Sequence, residues 1–146
     1  MTDINQQPGD LPRRGDCKRL RAADSFTGKQ GLNYQVGISA QSVGATGIHM
    51  QLATLPPGVR GKTHKHAMHE TAIYAISGVS AVWYGDRLEH HEQIEAGDFF
   101  YIPANMPHLP YNPHASEPAV VLIARTDPND QESVEMLPQL DLLRQP

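Results

Sequence analysis

His64, His66, His69 and Glu70 stand within seven positions, and each can ligate a metal. Imidazole nitrogen suits zinc, iron, copper and nickel. On a strand, residues i and i+2 share a face, so His64 and His66 aim two imidazoles at one point. A third ligand close by and a fourth from a distant strand close such a site. His108 is the natural distant ligand, because it follows a run punctuated by Gly97 and Pro103. An isolated H-x-H pair more often means two exposed strand histidines. Here it gains weight from its neighbours and from a second patterned segment with its own histidine. Of the eight histidines, His114 and one or both of His90 and His91 read as surface residues.

The elements that must position these residues read as short strands. Apolar or β-prone runs recur at Tyr34–Ile38, Ile48–Leu55, Thr71–Ile76, Ala81–Tyr84, Phe99–Ile102 and Val120–Ala124, separated by Gly, Pro, Asn and Asp. Several alternate with period two, as half-buried strands do. Gly85-Asp86 reads as a tight hairpin turn. Many short strands at this spacing indicate an all-β sandwich or barrel, and no alternating helical pattern suggests a βαβ fold. Residues 1–16 read as a flexible N-terminal arm, 17–125 as the barrel and 126–146 as a short C-terminal tail. The tail's leucines are placed to pack on the barrel or on a neighbouring subunit, or to dock only loosely.

Composition narrows the function. A 146-residue chain suggests one domain. Its net charge is −4, and no long basic run gives a footprint for nucleic acid. No apolar run approaches the roughly 20 residues of a spanning helix, so we expect no membrane partner. A lone cysteine, Cys17, excludes an intramolecular disulfide and a thiolate-rich zinc site. The first residues show no apolar signal region, and we expect a cytoplasmic protein.

Gly58, five residues, His64-Lys65-His66, three residues, Glu70 and then Gly78 resembles the first motif of the cupin family. Gly97, five residues, Pro103, Asn105, His108 and Asn112 resembles the second, with Asn105 where the family usually has Gly. Asn also tolerates left-handed backbone geometry. The resemblance covers about residues 45–125. It implies a double-stranded β-helix, a jelly-roll barrel, with one divalent metal ion inside and with His64, His66 and His108 as ligands. It also implies a small-molecule substrate or ligand and a homodimer.

The fourth ligand is where the chain departs from the pattern. Counted back from Gly78, the family's Glu falls on Thr71; counted forward from His66, it falls on Glu70. A one-residue offset flips every side chain to the other face, so an irregularity must lie between His66 and Gly78. Placed before residue 69, it turns His69 and Thr71 inward and makes a four-histidine site. Placed after residue 70, it turns Glu70 inward instead. The run from Thr71 to Gly78 reads as uninterrupted and Ala67-Met68 as a bend, so we expect His69, with Glu70 as the alternative. Glu70 would then act from outside, bonded to a ligand histidine.

That choice carries the chemistry. Four neutral imidazoles leave a divalent ion its full charge, which favours zinc or nickel and Lewis-acid reactions. A carboxylate favours iron or manganese and oxygen chemistry. Within the family the expected enzyme is a cyclase, isomerase, lyase or dioxygenase acting on an oxygenated organic molecule. The alternative is a non-catalytic metabolite-binding or metal-stabilised module. Trp83, Tyr84, Phe99, Phe100, Tyr101 and Tyr111 are candidates to line its cavity. Either His49 and Gln51 or Met50 and Leu52 face inward, and His90 and His91 read as a hairpin tip or barrel rim.

Overall fold

The computed structural model describes residues 14–21, 26–27, 31–130 and 133–144. Residues 1–13 of the expected arm lie outside the described residues. The elements run β1 (Phe26–Thr27), β2 (Asn33–Ile38), α1 (Ala40–Val43), β3 (His49–Leu55), β4 (His64–Lys65), β5 (Thr71–Ser77) and β6 (Val79–Tyr84). They continue with β7 (His90–Glu95), β8 (Phe99–Ile102), β9 (His108–Tyr111), β10 (Ala119–Arg125), β11 (Glu135–Met136) and α2 (Pro138–Asp141). Two sheets form, in the orders β1-β2-β3-β10-β5-β8 and β11-β4-β9-β6-β7. The named pairs are antiparallel, and the chain passes back and forth between the sheets, the arrangement expected of a jelly roll.

Alternation decides which side chains meet between the sheets. Along β3, His49, Gln51, Ala53 and Leu55 are buried, while Met50 is exposed. Along β10 the matching inward set is Ala119, Val121, Ile123 and Arg125, and along β5 it is Thr71, Ile73 and Ala75. Leu32, Tyr34, Val82 and Ile94 join them in one apolar core. Burial of each fully buried Leu, Ile or Val side chain among them contributes about 1.5–3 kcal/mol.

Turn chemistry sets the strand ends. Gly78 adopts φ 72° between β5 and β6, and a Cβ there would strike the Pro118 carbonyl. Asn105 has φ 65°, the left-handed geometry expected where it replaces glycine. The Gly85-Asp86 turn is longer than expected: β6 and β7 are joined through residues 85–89. Leu88 is wholly buried there at φ 52°, and the Glu89 carboxylate accepts the Arg87 N–H. Burying Leu88 is the physical reason a two-residue turn does not suffice. His90 and His91 then begin an edge strand.

The C-terminal stretch is woven onto the second sheet. β11 pairs with β4, Glu135 opposite Lys65 and Met136 opposite His64. The Asp141 carboxylate accepts from the Thr63 backbone N–H (2.9 Å) and hydroxyl, and the Asp141 carbonyl accepts from Arg60 at 2.6 Å. Arg144 lies 4.0 Å over the Trp83 ring and donates to the Leu88 carbonyl. This stretch therefore braces the residue immediately before His64.

Candidate metal centre

His64 and His108 stand opposite each other on β4 and β9, and His108 is also opposite Tyr84 on β6. The ligand atoms of His64, His66 and His108 all lie within 4.8 Å of one another, and all three residues are buried. The His64 and His108 rings are 4.2 Å apart, and those of His66 and His108 5.3 Å. His64 Nδ1 donates to the Lys62 carbonyl at 2.7 Å and His108 Nδ1 to the Met106 carbonyl at 2.9 Å. A carbonyl only accepts, so each Nδ1 carries the proton and each Nε2 keeps its lone pair for a ligand. The donor set thus fits a metal ion. The second motif is tied to the first by the Asn105 N–H, which donates to the His66 carbonyl at 2.8 Å.

The chain bends at Ala67–Met68, between β4 and β5. Beyond the bend the alternation restarts with His69 buried, Glu70 exposed and Thr71 buried. The His69 ring lies 4.7 Å from that of His66, and its Nδ1 is 3.8 Å from the Asp127 carboxylate. His69 is not among the three whose ligand atoms converge. Glu70 faces outward: its carboxylate accepts the Tyr101 hydroxyl at 2.6 Å, and its N–H donates to Thr126. Its partner is therefore a tyrosine and not a ligand histidine. That bond holds the Tyr101 phenol above its usual pKa range.

Beside the trio lies a cavity of about 80 Å³. Its wall is mostly apolar, with Gln51, Thr71, Ser80 and Arg125 as polar groups beside the histidines. Of the six candidate aromatics, only Phe100 lines it. Phe99 and Tyr101 face solvent, Tyr84 packs beside the core, and Trp83 and Tyr111 sit near His91. Alternation explains this: Phe99 and Tyr101 flank the inward Phe100. His91 Nε2 and the Tyr111 hydroxyl share a 2.6 Å hydrogen bond, and burial raises the Tyr111 pKa.

Sequence reading missed the loop after β10. Asp127 faces His69, Asp130 lies 3.2 Å from the buried His49, and Arg125 donates to the Asn129 carbonyl. Burial raises the Asp127 carboxyl, but bonds from the Asn129 backbone and side chain and from the Ser133 backbone, with nearby His69, hold it below its usual range. Val121, Ile123 and Arg125 share one face of β10, but Val120, Leu122 and Ala124 on the other are equally apolar, so no local signal marked Arg125 as inward. Nothing in T-D-P-N-D pointed to the two histidine partners.

Two sheets closed around a buried histidine trio define a jelly-roll protein with a candidate metal centre in its barrel. Residues 51–125, just over half of the chain, match the cupin domain, and the chain belongs to the cupin family. The polyketide cyclase RemF from Streptomyces resistomycificus is similar in structure, with TM-score 0.72 and 16% identity over 90% of this chain and 95% of that one. An uncharacterized double-stranded beta-helix protein from Klebsiella pneumoniae gives TM-score 0.59 and 14% identity, over 81% of this chain and 88% of that one. Oxalate decarboxylase from Bacillus subtilis gives TM-score 0.61 and 23% identity, over 81% of this chain but only 30% of that enzyme. No curated protein matches the chain. At these identities the likeness speaks to the fold.

Proposed function

We propose that the protein is a small metal-dependent cupin enzyme acting on an oxygenated organic molecule held in the barrel. In this reading His64, His66, His69 and His108 hold one divalent ion. The observation that carries it is the convergence of three buried histidines beside a cavity with room for an occupant. The ligand atoms of the trio all lie within 4.8 Å of one another, within reach of one ion. His69, buried beside His66, is the candidate to complete the set.

The outward turn of Glu70 supports an all-imidazole site, hence zinc or nickel over iron or manganese. Such an ion supplies Lewis acidity to a carbonyl or hydroxyl oxygen. That favours a cyclase, isomerase or lyase over a dioxygenase. The chain's own part is to orient the substrate against Gln51, Thr71, Ser80 and Arg125 and to keep water from its apolar end. A non-catalytic, metal-stabilised module calls for a closed coordination shell or a barrel filled by side chains; the cavity beside the trio supports the enzyme.

The reading includes a homodimer. Outward positions of β3, β10, β5 and β8 hold no charged residue, and Met50, Tyr74, Ile76, Phe99 and Tyr101 are exposed there. A contiguous apolar face of this kind marks an interaction surface, and an uncharged one admits a second copy of a chain with net charge −4. The exposed lone thiol of Cys17 fits a reducing, cytoplasmic setting.

Replacing His108 with Ala tests the metal site. We expect elemental analysis to show stoichiometric metal in the wild type and almost none in the variant, with far-UV circular dichroism unchanged. Equal metal content in the two proteins overturns the assignment.

A further inference from the structure

One peptide unit orients the His64 imidazole. The His64 Nδ1–H donates to the Lys62 carbonyl at 2.7 Å. That carbonyl shares its peptide with the Thr63 N–H, which donates to the Asp141 carboxylate at 2.9 Å. No cis peptide occurs among the described residues, and in a trans unit the C=O and N–H point opposite ways. A single rigid plane therefore has the imidazole at one end and the carboxylate at the other. His108 makes the same local bond, from Nδ1 to the Met106 carbonyl two residues back. The residue between them is Pro107, which has no N–H, so that peptide has nothing to offer a carboxylate.

Every polar group of Thr63 turns to the C-terminal stretch. Thr63 is wholly buried, its hydroxyl donates to the same Asp141 oxygen, and its carbonyl accepts the Leu137 N–H at 2.9 Å. The Asp141 carbonyl in turn accepts from Arg60 at 2.6 Å. β4 is only two residues long and meets β9 through the His64–His108 pair. So short a strand has few ladder bonds to hold it, and the plane before His64 is fixed by Asp141 and Leu137. A carboxylate on the N–H polarises the peptide and makes its carbonyl a stronger acceptor. A stronger acceptor on Nδ1–H raises the basicity of Nε2, the atom left for a metal.

We propose that Asp141 is a positioning residue for the metal centre, acting on His64 through the Lys62–Thr63 peptide. The order is carboxylate, peptide, imidazole, metal. The interposed peptide orients and polarises the ligand while keeping a full negative charge away from the ion. The last step rests on the metal site proposed above; the link from Asp141 to His64 does not. By reciprocity, an ion that draws on His64 tightens the C-terminal stretch on Thr63.

Zinc affinity, measured against a chromophoric chelator, tests this in the full chain. Asp141→Ala should bind zinc about 10–100-fold more weakly than the wild type. Asp141→Asn keeps an acceptor for Thr63 without the charge and should recover part of that loss. Arg144→Ala loosens the same stretch at Trp83 and Leu88 and should leave zinc affinity unchanged. An Asp141→Ala protein that folds and keeps wild-type affinity overturns the proposal. So does an Arg144→Ala protein that loses as much as Asp141→Ala, because a merely stabilising stretch would behave that way. The wild type gives a test that needs no variant: zinc should slow hydrogen exchange at the Thr63 N–H, and unchanged exchange overturns the coupling. Proton NMR of stripped protein reads the peptide link without metal. Asp141→Asn should move the His64 Nδ1–H signal upfield and leave that of His108 in place; two unmoved signals overturn the link. If the wild type takes up no zinc or other divalent ion, the proposed function fails, and a shift confined to His64 still supports the link.

Discussion

Replacing His69 with Ala and, separately, Glu70 with Gln asks which of two adjacent residues serves the metal. The side chains face opposite ways: His69 is buried with its ring 4.7 Å from that of His66, while Glu70 is exposed and bonded to Tyr101. A group that merely orients a ligand contributes about 10–100-fold to metal affinity. Loss of a coordinating nitrogen should therefore cost more than about 100-fold, or about 2.7 kcal/mol. Gln at position 70 keeps an acceptor for the Tyr101 hydroxyl, so metal affinity should stay at the wild-type value. Competition against a chromophoric chelator measures both, with elemental analysis as the check on stoichiometry. The Glu70 variant carries its own control: without the carboxylate that holds it up, the Tyr101 phenol should titrate at lower pH. A weaker metal site in Glu70→Gln than in His69→Ala would refute the four-histidine reasoning and return the carboxylate to the site.

Three further outcomes follow from the geometry. Asp127→Asn should weaken metal binding about tenfold without unfolding the protein, because it removes the charge 3.8 Å from His69 Nδ1; the same chelator titration reads it, and an unchanged affinity removes Asp127 from the site. Phe99→Asp puts a charge on the apolar outer face at a residue 83% exposed, so the fold should persist while the solution mass falls to the 16.1 kDa of one chain by light scattering. A wild type that is already monomeric sinks the dimer. Gly78→Ala combines φ 72° with a clash against the Pro118 carbonyl. It should cost about 2–4 kcal/mol and lower Tm by about 5–15 °C, and an unchanged melting curve would contradict the turn geometry.

Much of this protein is legible in its amino acids because the relevant physics is local. Period-two alternation located the strands without saying which face turns inward, and Gly58, Gly78, Gly97 and Asn105 marked turns that all adopt positive φ. Spacing alone paired His64 with His66, Gly/Pro punctuation pointed to His108 as the distant ligand, and motif resemblance implied all three; the three do converge. The offset between His66 and Gly78 was countable before any coordinates, since a side-chain period of two turns one extra residue into a change of face. Counting could not say where the chain absorbs it. The bend at Ala67–Met68 is set by how β4 joins one sheet and β5 the other. Position in the sheets, not residue type, put Trp83 and Tyr111 near His91 and left Phe100 alone of the six aromatics on the cavity wall. Only the fold could bring Asp127 to His69, Asp130 to His49, or Asp141 to Thr63, because those partners are 58 to 81 residues apart and no local pattern records such a distance. Residue types determined that this chain would carry a histidine cluster among short strands. Tertiary structure decided which of those side chains share one buried space, because burial is a property of the closed barrel and of no single segment.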